Sequence, residues 1–219
     1  MEKYVPILKN CPLFAGVDSG DIPHLLGCLS AKKVSYEKGG LIFIAGTKVT
    51  TVGIVLGGRV NVAHDSFWGN RTILAQIEAG GLFGEAFSCA KVDNLPVSVL
   101  AAAASDILLI DYRKIITICS SACTFHTKLI SNMIQILARK NILLTQKIEH
   151  ISQRTTREKL LSFLSMQARG ANSNSFEIPF NREELAAYLS IDRSAMCAEL
   201  SKMQNDHLLR YKKNRFELL

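Results

Sequence analysis

The hydrophobic period of this chain changes once, near residue 111, and that change limits its fold more than any other feature. From residue 34 to 110 apolar residues come in short β-rich runs: Val34–Tyr36, Leu41–Ile44, Thr51–Leu56, Arg59–Ala63, Thr72–Ile77 and Ile107–Ile110. Gly39-Gly40, Gly46, Gly57-Gly58, Gly69-Asn70 and Gly80-Gly81 separate them. Short strands with a turn signal every ~8–12 residues predict a sandwich or barrel. From about residue 125 the spacing is helical. A β body followed by a helical part is an α+β arrangement, since strands and helices do not alternate. A short amphipathic segment, Asp18–Leu29, precedes the strands, with Ser19 or Asp18 as its cap.

Within the helical half, Ile130, Ile134, Leu137, Asn141, Leu144, Ile148 and Ile151 step alternately by four and three residues. This is an a/d seam sustained over about three heptads. Such a helix either packs on its own domain or pairs with a copy of itself. The strict 3.5-residue period and the single polar member, Asn141, favour self-pairing, because an Asn in the seam fixes register and oligomer number. The expectation is a homodimer.

A break at Ser152–Thr156 precedes a further helix, Arg157–Gln167, capped by Thr155 or Thr156 and followed by a polar loop, 170–175. Asn181 with Glu184 three residues on is a capping box that opens the next helix, which carries Leu185, Ala186 and Leu189 on one face. Ser190-Ile191 makes a tight connection. Asp192 caps a second helix that runs to about Asn205 and buries Met196, Leu200 and Met203. Leu208–Tyr211, a basic tip at Lys212-Lys213, and Arg215–Leu218 follow as a hairpin. A helix-turn-helix followed by a basic hairpin is a winged helix, whose second helix enters the major groove of double-stranded DNA.

Arg193, Ser194, Cys197 and Ser201 are predicted on the base-reading face of that helix. Arg193 is placed to meet guanine O6 and N7 together. Lys202, Lys212, Lys213 and Arg215 suit phosphates, which add affinity but little sequence information. The charge distribution agrees. The net charge is +7; nine basic and nine acidic residues lie up to residue 110, and seventeen basic against ten acidic lie beyond it. A neutral first half and a basic second half suggest that the second faces a polyanion.

The six cysteines, Cys11, Cys28, Cys89, Cys119, Cys123 and Cys197, contain no C-x-x-C pair, which excludes a disulfide scaffold and a zinc knuckle. Cys119 and Cys123 lie one helical turn apart, with no role assigned. No apolar run reaches the ~18 residues of a membrane span, and Met1–Pro6 lacks the order of a signal peptide. A cytoplasmic protein with no membrane partner is expected.

Taken together these segments resemble the Crp/Fnr family of bacterial transcription factors along nearly the whole chain. The resemblance rests on Leu8–Gly16, Tyr36–Phe43 with Gly46, Gly57–Val60, Gly69–Arg71, Gly80–Glu85, Arg157–Leu164 and Asp192–Ala195. It implies a β-roll, jelly-roll-like sensor domain (1–124), a dimerisation helix (125–152) and a winged helix-turn-helix DNA-binding domain (153–219). It also implies a homodimer on palindromic promoter DNA under a small effector, with RNA polymerase as a further partner if the protein activates.

The departures are informative. Cyclic-AMP-binding relatives follow the Gly-Glu pair, here Gly84-Glu85, with an Arg-Ser that holds the cyclic phosphate. Leu95-Pro96 stands at that place. A buried phosphate without cation or hydroxyl lacks its counter-charge, so cAMP is not the expected effector. With Leu144 and Thr145 as the aligned helix positions, the pocket suits a more apolar effector, or none. No resident cofactor is expected: Cys11 alone cannot hold an iron–sulfur cluster, and His64 and His126 are isolated candidates for haem. On the second helix Ser194 and Ala198 replace the family's base-reading Glu and later Arg, which implies a different operator. The alternatives are an effector-independent regulator or, in another class, a cupin-like metal enzyme. The latter has scattered His24, His64, His126, His150 and His207 in place of a ligand cluster, and no metal site is expected.

Overall fold

The computed structural model describes residues 1–65, 71–117 and 124–219. The Gly69-Asn70 turn and the Cys119/Cys123 pair lie outside the described residues. The chain divides into two compact units, Met1–Ala138 and Arg139–Leu219.

The first unit opens with α1 (Val5–Asn10) and α2 (Ile22–Cys28). The cap position of α2 is Asp21, without a side-chain bond, so the helix starts later than a Ser19 or Asp18 cap predicts. Among the described residues eight strands follow: β1 (Lys32–Tyr36), β2 (Leu41–Phe43), β3 (Thr51–Gly57), β4 (Arg59–Asp65), β5 (Arg71–Glu78), β6 (Leu82–Phe83), β7 (Ser98–Ala101) and β8 (Ser105–Asp111). They form two antiparallel four-stranded sheets, in the orders β1-β8-β3-β6 and β2-β7-β4-β5. Two short helices interrupt this order, α3 (Glu85–Cys89) and α4 (Tyr112–Ile116). β6, β7 and both of these helices are absent from the expected elements.

The continuous apolar run in β3 has a structural cause. Val52, Ile54 and Leu56 join the core under α1 and α2, while Val55 faces the cluster of Phe43, Val60, Phe83, Leu95 and Val99. A strand covered on both faces needs no polar alternation. Gly53 sits opposite Phe83 in the ladder, where an added Cβ would lie 2.1 Å from the ring.

Helix α5 (Thr124–Ile151) spans 28 residues. Its N-terminal part is bound to the first unit by a row the seam analysis did not include: Leu129, Met133 and Ile136 are buried there. Leu137, a seam position, also packs against this core. Buried Asn132 donates through Nδ2 to the carbonyls of Leu13 (2.9 Å) and Ala15 (3.0 Å). Other seam positions stay open: Ile134, Leu144 and Ile148 are 60%, 60% and 58% exposed.

In the second unit, α6 (Thr156–Ala171) is capped by Thr155, with Glu158 completing the box. It runs one turn beyond Gln167 and ends where Asn172 adopts φ +49°. The 170–175 segment is therefore not all loop. Ser175 begins β9 (Ser175–Glu177), which pairs with β11 (Arg215–Leu218), itself the partner of β10 (Leu209–Lys212). Helices α7 (Arg182–Leu189) and α8 (Arg193–Asn205) start and stop where the caps predict. Leu160, Phe163, Leu164, Leu185, Leu189, Met196, Leu200, Met203, Leu209 and Phe216 form one buried core.

Candidate nucleic-acid interface

Local chemistry fixes the two-helix element. Asn181 Oδ1 accepts from the amides of Glu183 (2.9 Å) and Glu184 (3.0 Å), and Glu184 returns a bond to the Asn181 amide (2.8 Å). This satisfies three of the backbone donors that a helix start leaves unpaired. Helix α7 ends at Ser190, φ +52°, where the Ile191 amide reaches back to the Ala186 carbonyl (3.0 Å). Two residues later Asp192 accepts from the Ala195 amide (2.9 Å) and opens α8. Bonds to Ser194 and to the backbone hold the Asp192 carboxyl below the usual carboxylate range.

Helix α8 buries Met196, Leu200 and Met203 completely and leaves Arg193, Ser194, Ala198, Ser201 and Lys202 exposed. Cys197 is only half-buried and packs against the core, so it lies at the margin of the open face. Ser194 Oγ donates to Asp192 Oδ1 (2.5 Å), which ties its hydroxyl to the cap. Glu199, the helix's one carboxylate, is turned aside by Arg157 (2.5 Å), which also meets Asp206 (2.8 Å). These bonds hold the guanidinium of Arg157 protonated even more firmly than usual. With Glu199 held by Arg157, the exposed side of α8 carries Arg193 and Lys202, with the Asp192 carboxylate committed to the helix cap.

The hairpin stands beside it. Lys212 and Lys213 are exposed at its tip, with Lys213 at φ +55° in the two-residue turn. Asn214 Nδ2 donates to Glu177 Oε1 (2.6 Å), and Phe176 stacks on Phe216 at 6.3 Å. Ser201 Oγ lies 3.4 Å from the Tyr211 hydroxyl, linking α8 to the hairpin. The sequence reading did not single out Arg157, Glu199 or Tyr211; all three act across long separations.

The sensor residues fall in both units. Gly84 adopts φ +79° at the start of α3, and a Cβ there would lie 2.6 Å from the Phe43 ring. Glu85 is buried, Leu95 belongs to the inter-sheet cluster, and Pro96 is exposed. Leu144 and Thr145 belong to the second unit and are both exposed; Thr145 Oγ1 donates to the Asn141 carbonyl (3.0 Å). His64 is exposed on β4 and His126 buried on α5. Among the described residues no three His, Cys, Asp or Glu side chains converge as metal ligands, and no helix is long and apolar enough to cross a membrane.

Two families match the chain. The cyclic nucleotide-binding domain covers residues 33–122 and the Crp-like helix-turn-helix domain residues 158–219. No curated protein matches. Among solved structures, the catabolite activator protein of Thermus thermophilus is 20% identical, with a TM-score of 0.56 over 95% of this chain and 93% of that one. The c-di-GMP responsive global regulator CLP of Xanthomonas campestris is 17% identical, TM-score 0.58, over 92% and 99%. A CooA mutant of Carboxydothermus hydrogenoformans is 21% identical, TM-score 0.55, over 88% and 85%. The fold, the order of the two matched domains and the capped helix-turn-helix converge on one conclusion: the chain belongs to the Crp/Fnr family of DNA-binding transcription regulators.

Proposed function

We propose that this regulator binds a palindromic promoter site as a homodimer, under control of a small effector other than cAMP. In this reading residues 1–124 sense, 125–152 dimerise and 153–219 bind DNA. Arg193 reads bases, with Ser194, Cys197, Ala198 and Ser201 forming the rest of the surface against the groove. Lys202, Lys212 and Lys213 hold phosphates. The observation that carries it is the exposed face of α8, which presents Arg193 and Lys202 beside a basic hairpin tip. The exposed seam at Ile134, Leu144 and Ile148 supports pairing with a second copy. Two-fold symmetry then sets half-sites about 34–36 Å apart. Effector control requires an effector that binds the DNA-competent arrangement more tightly than the other. RNA polymerase is a partner only if the protein activates.

Leu95 in the inter-sheet cluster and Pro96 beyond it offer no cation to a cyclic phosphate, which supports an apolar effector. A second reading, the same regulator without any effector, is supported by one feature. Phe43 and Phe83, centroids 5.3 Å apart, pack with Leu95 in one buried cluster between the sheets. Selection of bound duplexes from a random library, with and without cell extract, tests both readings. Enrichment of a palindrome is expected; binding no tighter to the enriched sequence than to random duplex overturns the specific-regulator reading. Thermal shift with cAMP, apolar acids, phenols and nucleotides completes the test. Saturable stabilisation by cAMP would overturn its exclusion, and an effect of extract on DNA binding would remove the effector-independent alternative.

A further inference from the structure

On the first unit, a cavity of about 200 Å³ opens between the loop before β3, the end of α3 and the start of α4. Lys48, Lys91 and Arg113 line it, with Thr50, Ser88 and Tyr112. The three cations come from three segments far apart in sequence, so their convergence is a product of the fold. Tyr112 is held at the cavity because its amide donates to the Thr50 carbonyl (3.0 Å) and its ring joins the core.

Lys91 is the least expected member. It follows α3 at φ +54°, a conformation usually left to glycine or asparagine at a helix end. Attraction to the negative end of α3 explains little, since that helix has five residues. A lysine in this conformation, lining a cavity with two other cations, is the kind of outlier that points to use. Present carboxylates do not close the site. Asp93 meets Lys48 (2.5 Å), but both side chains are largely exposed, at 76% and 58%. Such pairs are easily exchanged for a better anion. Asp111 holds Arg113 (2.6 Å) while capping α4. Lys91 is in no ion pair among the described residues.

We propose that this cavity binds a compact phosphate-bearing anion, either inorganic phosphate or a small phosphomonoester. Lys48, Lys91 and Arg113 supply charge-assisted donors and Tyr112 a hydroxyl. The Ser88 hydroxyl is committed to the Thr51 carbonyl (2.8 Å) and offers only its lone pairs.

The test is thermal shift and titration calorimetry on the full chain with inorganic phosphate and with phenyl phosphate, against chloride at matched ionic strength. Saturable protection by either phosphate is expected, and the tighter of the two identifies the source. Arg113→Gln should weaken it about tenfold, the scale of one charged hydrogen bond. Lys91→Gly should weaken it comparably while raising the unfolding temperature of the free protein, because the strain is relieved. Lys9→Gln, a cation elsewhere on this unit, should leave it intact. Equal protection by chloride, no protection, or undiminished binding in both cavity variants would overturn the proposal.

Discussion

At Gly58 backbone freedom and space are both required. The residue adopts φ +77°, and an added Cβ would lie 2.3 Å from the Ala104 carbonyl and 2.4 Å from Ser105 Oγ. Gly39 shares the conformation, φ +86°, but faces open space. Gly58→Ala is therefore expected to lose about 2–4 kcal/mol and Gly39→Ala only about 1–2 kcal/mol, measured by urea unfolding. The Gly57-Gly58 pair was legible as a breaker; the close approach was not, because Ala104 is remote in sequence. Arg193 shows the opposite balance. Its place at the start of a capped helix was readable from Asp192 alone, and the exposed side chain stands there. Arg193→Ala should cost specific DNA binding about 1–3 kcal/mol and non-specific binding much less. Equal loss on a selected site and on random duplex removes its base-reading role.

At the scale of the element, α5 carries two apolar rows that the sequence presents as one. The heptad seam was readable because it keeps a strict period. The row Leu129, Met133 and Ile136 was not, since only the docked first unit shows that those positions are covered. The rows should separate by mutation. Leu144→Glu, at a position 60% exposed, should leave the chain monomeric with the fold intact, where the proposed pairing makes the unaltered chain a dimer. Met133→Ala should cost about 2–5 kcal/mol of stability through the cavity it leaves. Light scattering and denaturant unfolding distinguish the two. A dimeric Leu144→Glu would remove the seam from the interface.

Near the end of the same helix His150 is buried, with Nδ1 2.7 Å from Ser162 Oγ, Nε2 3.3 Å from Met166 Sδ and its ring edge-on to Phe163. Burial pushes its pKa below the ordinary 6.5, aided by Arg169 and opposed by Glu149. A histidine depressed in the folded state binds its proton more readily when unfolded. Its contribution is intact above 6.5 and is lost as pH falls from there toward the folded value. Unfolding of the second unit, followed from about pH 7 to about pH 5, should weaken with acid. His150→Gln should flatten that dependence; an unchanged slope contradicts the assignment. A lone histidine in a helical stretch gave no sign of this setting, which Ser162 and Met166 on α6 create.

For the whole molecule, the change of period near residue 111 forecast a β body followed by helices, and the family match and fold agree. The charge asymmetry was a blunter guide. Residues 112–149 hold six basic and one acidic residue, whereas residues 150–219 hold eleven and eight. The DNA-binding unit is only mildly basic, so a limited number of phosphate contacts, and a correspondingly moderate salt slope, is expected. Identification came instead from consistency: a capping box at Asn181, a second helix cap at Asp192, a tight turn and a basic hairpin in one order. The most direct test of the account is the affinity and stoichiometry of the full chain on a selected palindrome, on a single half-site and on random duplex at one salt concentration. Two chains should bind the palindrome together, at least about a thousandfold more tightly than random duplex, with the isolated half-site far weaker. Equal affinity for all three, or independent binding of one chain per half-site, would contradict it.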